Sequence, residues 1–322
     1  MNGEILRIEH LSKHFTKKNI FSKVTSTIKA AEDVSFVLKR GEVFVLAGES
    51  GSGKSTIAKL ILKSIEADSG KIIFDGKEIT NETNSLRHIR LNCQMVQQDP
   101  YDSINPRMKI EDIVVEPLEI HNIGTKEERQ TRVLEVLREV KLEPAEDIVK
   151  KYPHMLSGGQ RQRVVLARAL AIKPKIILAD EPVSMLDVSI RAEMLSLMRE
   201  LQRKHKISFI YITHDLATAR HFGQRIGILY LGRIVEIGPI DKVLLNPRHP
   251  YTQALIDTIS EPNPNNVNKE KQIRIKDPPD TRASGGCSFR PRCPYAIEIC
   301  KTEPKLEEKN TEHLAACFVE LN

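Results

Sequence analysis

Gly48-Glu-Ser-Gly-Ser-Gly-Lys-Ser-Thr56 sets three glycines, one lysine and paired hydroxyls in the spacing GxxxxGK[ST]. That pattern suits chemistry on a polyphosphate. Gly48, Gly51 and Gly53, with Ser50 in the turn, let backbone N–H groups face phosphate oxygens, and a following helix N-terminus adds positive potential. Lys54 would reach the β and γ oxygens, Ser55 would ligate Mg²⁺, and Thr56 would support a phosphate through its hydroxyl. The apolar run EVFVLAG from Glu42 to Gly48 predicts a buried strand before the loop, and Ser55 to Ile65 carries apolar residues at helical spacing after it. Strand, glycine loop and helix together argue against a chance glycine-rich turn.

Two further clusters point to the same chemistry. Ile176-Ile177-Leu178-Ala179 reads as a buried strand ending in Asp180-Glu181, which places two carboxylates at the carboxyl edge of a sheet, where ligands of open α/β folds bind. Asp180 suits a Mg²⁺ ligand acting through the ion's water shell, and Glu181 a general base for an attacking water. A strand-end acidic pair can also serve only as a cap or for solubility, but not so readily beside a phosphate loop. Leu156-Ser157-Gly158-Gly159-Gln160 precedes an apolar stripe of Val165, Leu166, Ala169 and Leu170, so Ser157 marks a helix N-terminus and a second anion site. Read alone, it is an N-cap and turn. Beside a complete phosphate loop, it makes most sense as a contact to the γ-phosphate bound by a partner subunit.

The elements that must carry these residues are those of an α/β core. Ile207 to Ile212 predicts another central strand, and the segment from Pro100 to Leu156 loses strand character and reads as an inserted helical subdomain. The chain has 322 residues, enough for a large domain and an appendage. It has no apolar run near the roughly 18–20 residues of a membrane span, and Glu4, Arg7 and Glu9 occupy the place of a signal peptide's apolar segment. A soluble cytoplasmic protein is expected. A net charge of +6 over 49 basic and 43 acidic residues is a mixed solvated surface rather than a nucleic-acid footprint. The stretch EPNPNNVNKEKQIRIKDPPD after Ile259 reads as a linker. Cys287, Cys293, Cys300 and Cys317 crowd the tail beyond it, while Cys93 stands alone in an expected strand and reads as a core residue. Four clustered thiols in a reducing compartment read as metal ligands rather than disulfides.

The LSGGQ segment with the phosphate loop resembles the ATP-binding subunits of ABC transporters over residues 4 to 260. The resemblance implies a P-loop NTPase (RecA-like) core with an antiparallel β subdomain, an inserted helical subdomain at about 99–163 and an ATPase domain over 1–260. A linker at 261–285 and a small cysteine-rich metal-binding domain at 286–322 follow. It also implies that Gln98, beside the ambiguous Gln97, joins the γ-phosphate and Mg²⁺ to the helical subdomain, and that Asp187, in SMLD, touches the opposite site. His214 would sense the γ-phosphate, and Phe15, beside His14, would stack on adenine, although a core role for Phe15 fits equally. QDPYDSINPRM, EPLEIH, DEPVSMLDVSI and NPRHPYTQAL narrow the resemblance to oligopeptide and dipeptide importers and their nickel and oligosaccharide relatives.

In that subfamily the C-x5-C-x6-C-x16-C tail implies a [4Fe-4S] cluster, while the donors themselves suit iron–sulfur, zinc or unligated thiols. ATP and Mg²⁺ are the implied cofactors. A paralogous ATPase, two transmembrane permeases and an extracytoplasmic solute-binding protein are the implied partners, at the cytoplasmic face of the cell membrane. A non-transport ABC ATPase acting on DNA or ribosomes usually adds a long coiled coil or a second cassette, and neither is seen here. A P-loop kinase or GTPase has no need of LSGGQ.

Overall fold

The computed structural model describes residues 3–18, 24–257 and 285–321. Its strands are β1 (Glu4–Lys18), β2 (Val24–Lys39), β3 (Val43–Ala47), β4 (Ser69–Phe74), β5 (Lys77–Glu78), β6 (Cys93–Val96), β7 (Ile176–Asp180), β8 (Ser208–Thr213), β9 (Arg225–Tyr230), β10 (Arg233–Pro239), β11 (Glu307–Asn310) and β12 (His313–Ala315). β3, β7 and β8 are short and almost wholly apolar, and every residue of β3 and β8 is buried. That is the signature of strands covered on both faces. They lie in an eight-stranded sheet of order β11-β12-β10-β9-β3-β8-β7-β6, in which the five strands from β9 to β6 run parallel. A separate antiparallel sheet, order β2-β1-β4-β5, packs its apolar side on Phe44, Leu46 and the helix Lys54–Ile61.

The parallel order decides where the chemistry goes. β3, β8, β7 and β6 are consecutive neighbours, so their carboxyl ends share one edge. Residues from 48 to 214 are thereby delivered to one crevice. The helix after β3 spans Lys54–Ile61, shorter than its apolar spacing predicts. Lys63 adopts φ 52 and its N–H bonds to Leu60 O, while Ser64 bonds back to Lys59 O. This left-handed turn closes the helix.

The helical insert holds Ile110–Ile120, Lys126–Glu139 and Gly158–Ala171 as its main helices. Val133, Val136 and Leu137 of the second meet Val164, Val165 and Leu166 of the third in one buried cluster. The expected boundary at 163 falls inside the helix Gly158–Ala171, which runs on toward β6 and ties the insert to the core.

The sequence predicts a tail set apart by a linker; almost all of that linker lies outside the described residues. The tail itself is not set apart. β12 pairs antiparallel with β10, Glu236 opposite Ala315 and Ile237 opposite Leu314, and β11 pairs with β12, so the tail extends the core sheet. Glu236 anchors the joint. Its carboxylate is fully buried, accepts from Arg248 N at 2.7 Å and His249 N at 3.0 Å, and lies 2.7 Å from His313 Nε2. Removing one partner of such a set strands the others without water. Glu236→Ala should therefore lower unfolding free energy by about 3 to 5 kcal/mol, read as a fall in the urea midpoint. An unchanged midpoint would show that the joint is not a determinant of stability.

Candidate active site

Between β3 and its helix the chain turns through Gly48 (φ 155), Gly51 (φ 76) and Gly53 (φ 108). A Cβ on Gly53 would stand 1.9 Å from the Ala30 carbonyl oxygen, and one on Gly48 would stand 2.2 Å from that of Leu229. Backbone approach, as well as the left-handed conformation, therefore demands glycine at both. Gly53 offers no side-chain cap to the helix Lys54–Ile61, which leaves that terminus to an outside anion. Lys54 is buried, and its Nζ donates to Gly48 O and Glu49 O, each at 2.8 Å. Burial lowers the Lys54 pKa against the pull of Glu181, Asp180 and Glu49. Ser55 and the exposed Ser50 and Gly51 complete the rim, with Thr56 half-buried behind them.

Opposite stand the two carboxylates that end β7. Burial raises the Asp180 pKa; the Ser55 hydroxyl opposes that shift, Glu181 adds to it, and Lys54 opposes it. Glu181 has φ 46, a left-handed conformation that costs a non-glycine residue about 1 kcal/mol or more. It is held there from both sides: its N–H donates to Ile212 O at 2.9 Å, and its carbonyl accepts from Ser184 N at 3.2 Å and Ser184 Oγ at 3.0 Å. The strained turn aims the carboxylate between two strand ends. Gln98 Nε2 donates to Glu181 Oε2 at 3.2 Å, and His214 Nδ1 lies 2.8 Å from Glu181 Oε1. Three residues predicted separately thus form one polar cluster.

Ser157 caps the helix Gly158–Ala171 in a capping box: Gln160 N donates to Ser157 Oγ at 3.3 Å, and Ser157 N to Gln160 Oε1 at 3.0 Å. Ser157 and Gln160 stay exposed, as do Met185 and Asp187, and Asp187 precedes the helix Val188–His205 without capping it. Among the described residues no hydrogen bond or ion pair links Ser157, Gln160 or Asp187 to the Lys54 loop of the same chain. Phe15 is 43% exposed on β1, so the core alternative for it does not hold. Gln162, not singled out in the sequence, is buried and donates from Nε2 to Gln97 O at 3.3 Å, tying the Ser157 helix to the segment before Gln98. A glutamine inside an apolar helical face was its available signal.

Cys93 is buried in β6, and burial pushes its thiol pKa far up, as expected of a core residue. Cys287, Cys293, Cys300 and Cys317 all line one cavity of about 10 Å³ beside Phe289 and Arg290. Burial raises the pKa values of Cys287, Cys293 (to about 11) and Cys317, and the neighbouring thiols add to each rise. However, no group of three or more among the described residues stands in a metal-holding arrangement.

Comparison with known proteins adds family and fold. Residues 31–184 match the ABC transporter family, and residues 235–300 match the oligopeptide/dipeptide transporter C-terminal region. The oligopeptide transport ATP-binding protein AppF of Bacillus subtilis is 40% identical, with 98% of this chain and 97% of that protein aligned. The di/tripeptide transport ATP-binding protein DppF of Pseudomonas aeruginosa is 39% identical, with 98% of each covered. Among solved structures, cbiO1 from Clostridium perfringens, part of an ABC transporter complex, superposes with TM-score 0.66 at 26% identity over 76% of this chain and 92% of that one. The dimeric cassette MJ0796 bound to ADP and Pi gives TM-score 0.64 at 30% identity over 73% and 99%.

The loop geometry carries a direct test. Gly53→Ala forces a Cβ against backbone that cannot yield, so the variant should lose nucleotide binding and melt several degrees lower. Normal affinity by fluorescent nucleotide titration would refute this account of the turn.

Proposed function

Because the chain belongs to the family of ABC transporter ATP-binding subunits, we propose that it hydrolyses ATP to energise import of dipeptides or oligopeptides. The observation that carries the mechanism is the convergence of Gln98 and His214 on the Glu181 carboxylate, across the crevice from Lys54. Full-length similarity to proteins named for peptide transport supports the substrate class.

In this reading Lys54 exchanges its two carbonyl partners for the β and γ oxygens, and the N–H groups around Gly51 and Gly53 take the remaining phosphate charge. Mg²⁺, when bound, neutralises phosphate charge, and Ser55, Asp180 and Gln98 are the residues that would hold it. Glu181 accepts the proton of the attacking water. His214 fixes the Glu181 carboxylate on one side and Gln98 on the other, so removal of the γ-phosphate is felt by both β8 and the helical insert. Phe15, exposed on the antiparallel sheet, offers a ring face to adenine.

Ser157, Gly158, Gly159, Gln160 and Asp187 complete the site of a second ATPase subunit rather than their own. The exposure of Ser157, Gln160 and Asp187 supports this role, as does the dimeric state named for the related cassette. The second subunit is a paralogue, and two permeases and an extracytoplasmic solute-binding protein complete the importer. A groove of about 460 Å³, lined by Gln97, Ser103, Ile120, His121 and Arg168 between insert and core, suits a permease's cytoplasmic helix. Among the described residues no helix is long and apolar enough to cross a membrane, so attachment at the cytoplasmic face runs through the permeases. Cys287, Cys293, Cys300 and Cys317 are the residues that would hold a [4Fe-4S] cluster, with zinc the alternative for the same soft donors.

Glu181→Gln should bind ATP, lose turnover by about 100-fold or more and accumulate as a closed ATP-bound dimer in gel filtration. Near-normal turnover would remove Glu181 from the base role. Anaerobic purification should yield iron with labile sulfide, and peptide with its binding protein should stimulate the assembled transporter. Zinc in the tail would overturn the cluster assignment, and stimulation by nickel or a sugar alone would overturn the substrate.

A further inference from the structure

The segment Cys287-Ser-Phe-Arg-Pro-Arg-Cys293 is a tight turn bounded by two of the four thiols, closed by Arg290 N to Cys287 O, Arg292 N to Phe289 O and Cys293 N to Phe289 O, each at 3.0 Å. It presents two side chains to the ATPase core. Phe289 is buried against Tyr230 (ring centroids 5.3 Å) and Tyr251 (5.5 Å). Arg292 lies over the Tyr230 and Phe289 rings, both 5.9 Å away, and its guanidinium forks onto Glu49, with Nη1 3.0 Å from Oε2 and Nη2 3.2 Å from Oε1. Glu49 is the residue after Gly48 in the phosphate loop, and its carbonyl is one of the two oxygens that hold Lys54.

A second contact fixes the same residue. The Glu49 N–H donates to Tyr251 Oη at 2.9 Å. Tyr251 is itself seated by its own N–H on His249 Nδ1, at 3.1 Å, and burial pushes the His249 pKa down to about 3, which keeps that ring a neutral acceptor. Main chain and side chain of Glu49 are therefore both clamped by groups that the phosphate chemistry does not itself require. The electrostatics have a sense as well. A loop that must accept a polyphosphate carries a carboxylate on its first turn, and the fork from Arg292 cancels that charge in a bidentate, partly desolvated geometry.

We propose that Arg292 is a positioning residue for ATP: it neutralises and holds Glu49, so that the cysteine-bounded turn of the tail sets the shape and charge of the phosphate loop. This deepens the ATPase reading and rests on it. It joins the tail, which the sequence places beyond a linker, directly to the phosphate loop. Arg292 acts only through Glu49, so its loss should weaken binding rather than the chemical step.

The test uses the full chain assembled with its permeases, with fluorescent ATP-analogue affinity, steady-state KM and kcat, and iron and sulfide content measured on each variant. Arg292→Gln should raise the nucleotide Kd and the KM for ATP about tenfold while kcat stays within about twofold. Arg292→Lys, which keeps the charge but loses the fork, should fall between. Glu49→Gln lies on a half-exposed loop residue and does not threaten folding. The pair acts as a unit, so the double variant should bind no more weakly than Arg292→Gln alone. Unchanged affinity in Arg292→Gln, or losses that multiply in the double variant, would overturn the proposal. A lower kcat at unchanged KM would do the same. Lys54→Ala separates the two levels: if it abolishes binding while Arg292→Gln does nothing, the site stands and the positioning role falls; if Lys54→Ala binds normally, the nucleotide site itself is misassigned.

Discussion

A buried ammonium must be surrounded by oxygen, because its hydration is lost and nothing apolar can replace it. Lys54 is that ammonium here, buried at the first turn of its helix, and the rest of the site is arranged around its needs. The carbonyls of Gly48 and Glu49 turn inward to accept from it, and the charges of Asp180 and Glu181 favour its protonated form. A loop that satisfies its lysine with its own carbonyls is already curved for a phosphate, and only exchange of oxygens is required when one arrives. The left-handed glycines are what make that curvature possible without steric cost.

At Glu181 backbone strain sits at the centre of the site. Glu181 is forced to φ 46 at the end of a fully paired parallel strand, and the turn is held through Ile212 O and Ser184. Parallel pairing with β8 on one side and β6 on the other means that His214 and Gln98 reach this residue from the two neighbouring strand ends. In ordinary extended backbone the side chain would instead project to one face of the sheet. Sheet order thus supplies distance, and the left-handed backbone of Glu181 supplies direction.

Much of this is legible in the residues themselves. Short apolar runs ending in a glycine loop, an acidic pair or a histidine mark parallel strands and their carboxyl ends, so β3, β7 and β8 and the residues beyond them can be read from the amino-acid order alone. So can the capping signature at Ser157 and Gln160, a local pattern with a local cause. Pairing across the chain leaves no such mark. The resemblance to ABC ATPases names Gln98, but the contact between Gln98 and Glu181 depends on β6 lying next to β7. The end of the helix at Lys63 depends on a left-handed residue with no glycine to announce it.

The tail escapes a local reading for the same reason in a stronger form. Its composition, rich in cysteine and preceded by proline and asparagine, describes how little core it can build alone, and from that a separate appendage follows naturally. A segment too small to bury its own apolar surface has another solution, which is to borrow a core. β12 completes the open edge left by β10, Phe289 enters an aromatic pocket of the ATPase core, and His313 meets Glu236 in a buried hydrogen bond. Each contact spans a large sequence separation and none follows a periodic pattern, so no local rule detects it. The consequence is mechanical. An element that depends on the ATPase core for its own stability cannot be indifferent to the shape of that core, and through Arg292 and Glu49 the dependence runs in both directions.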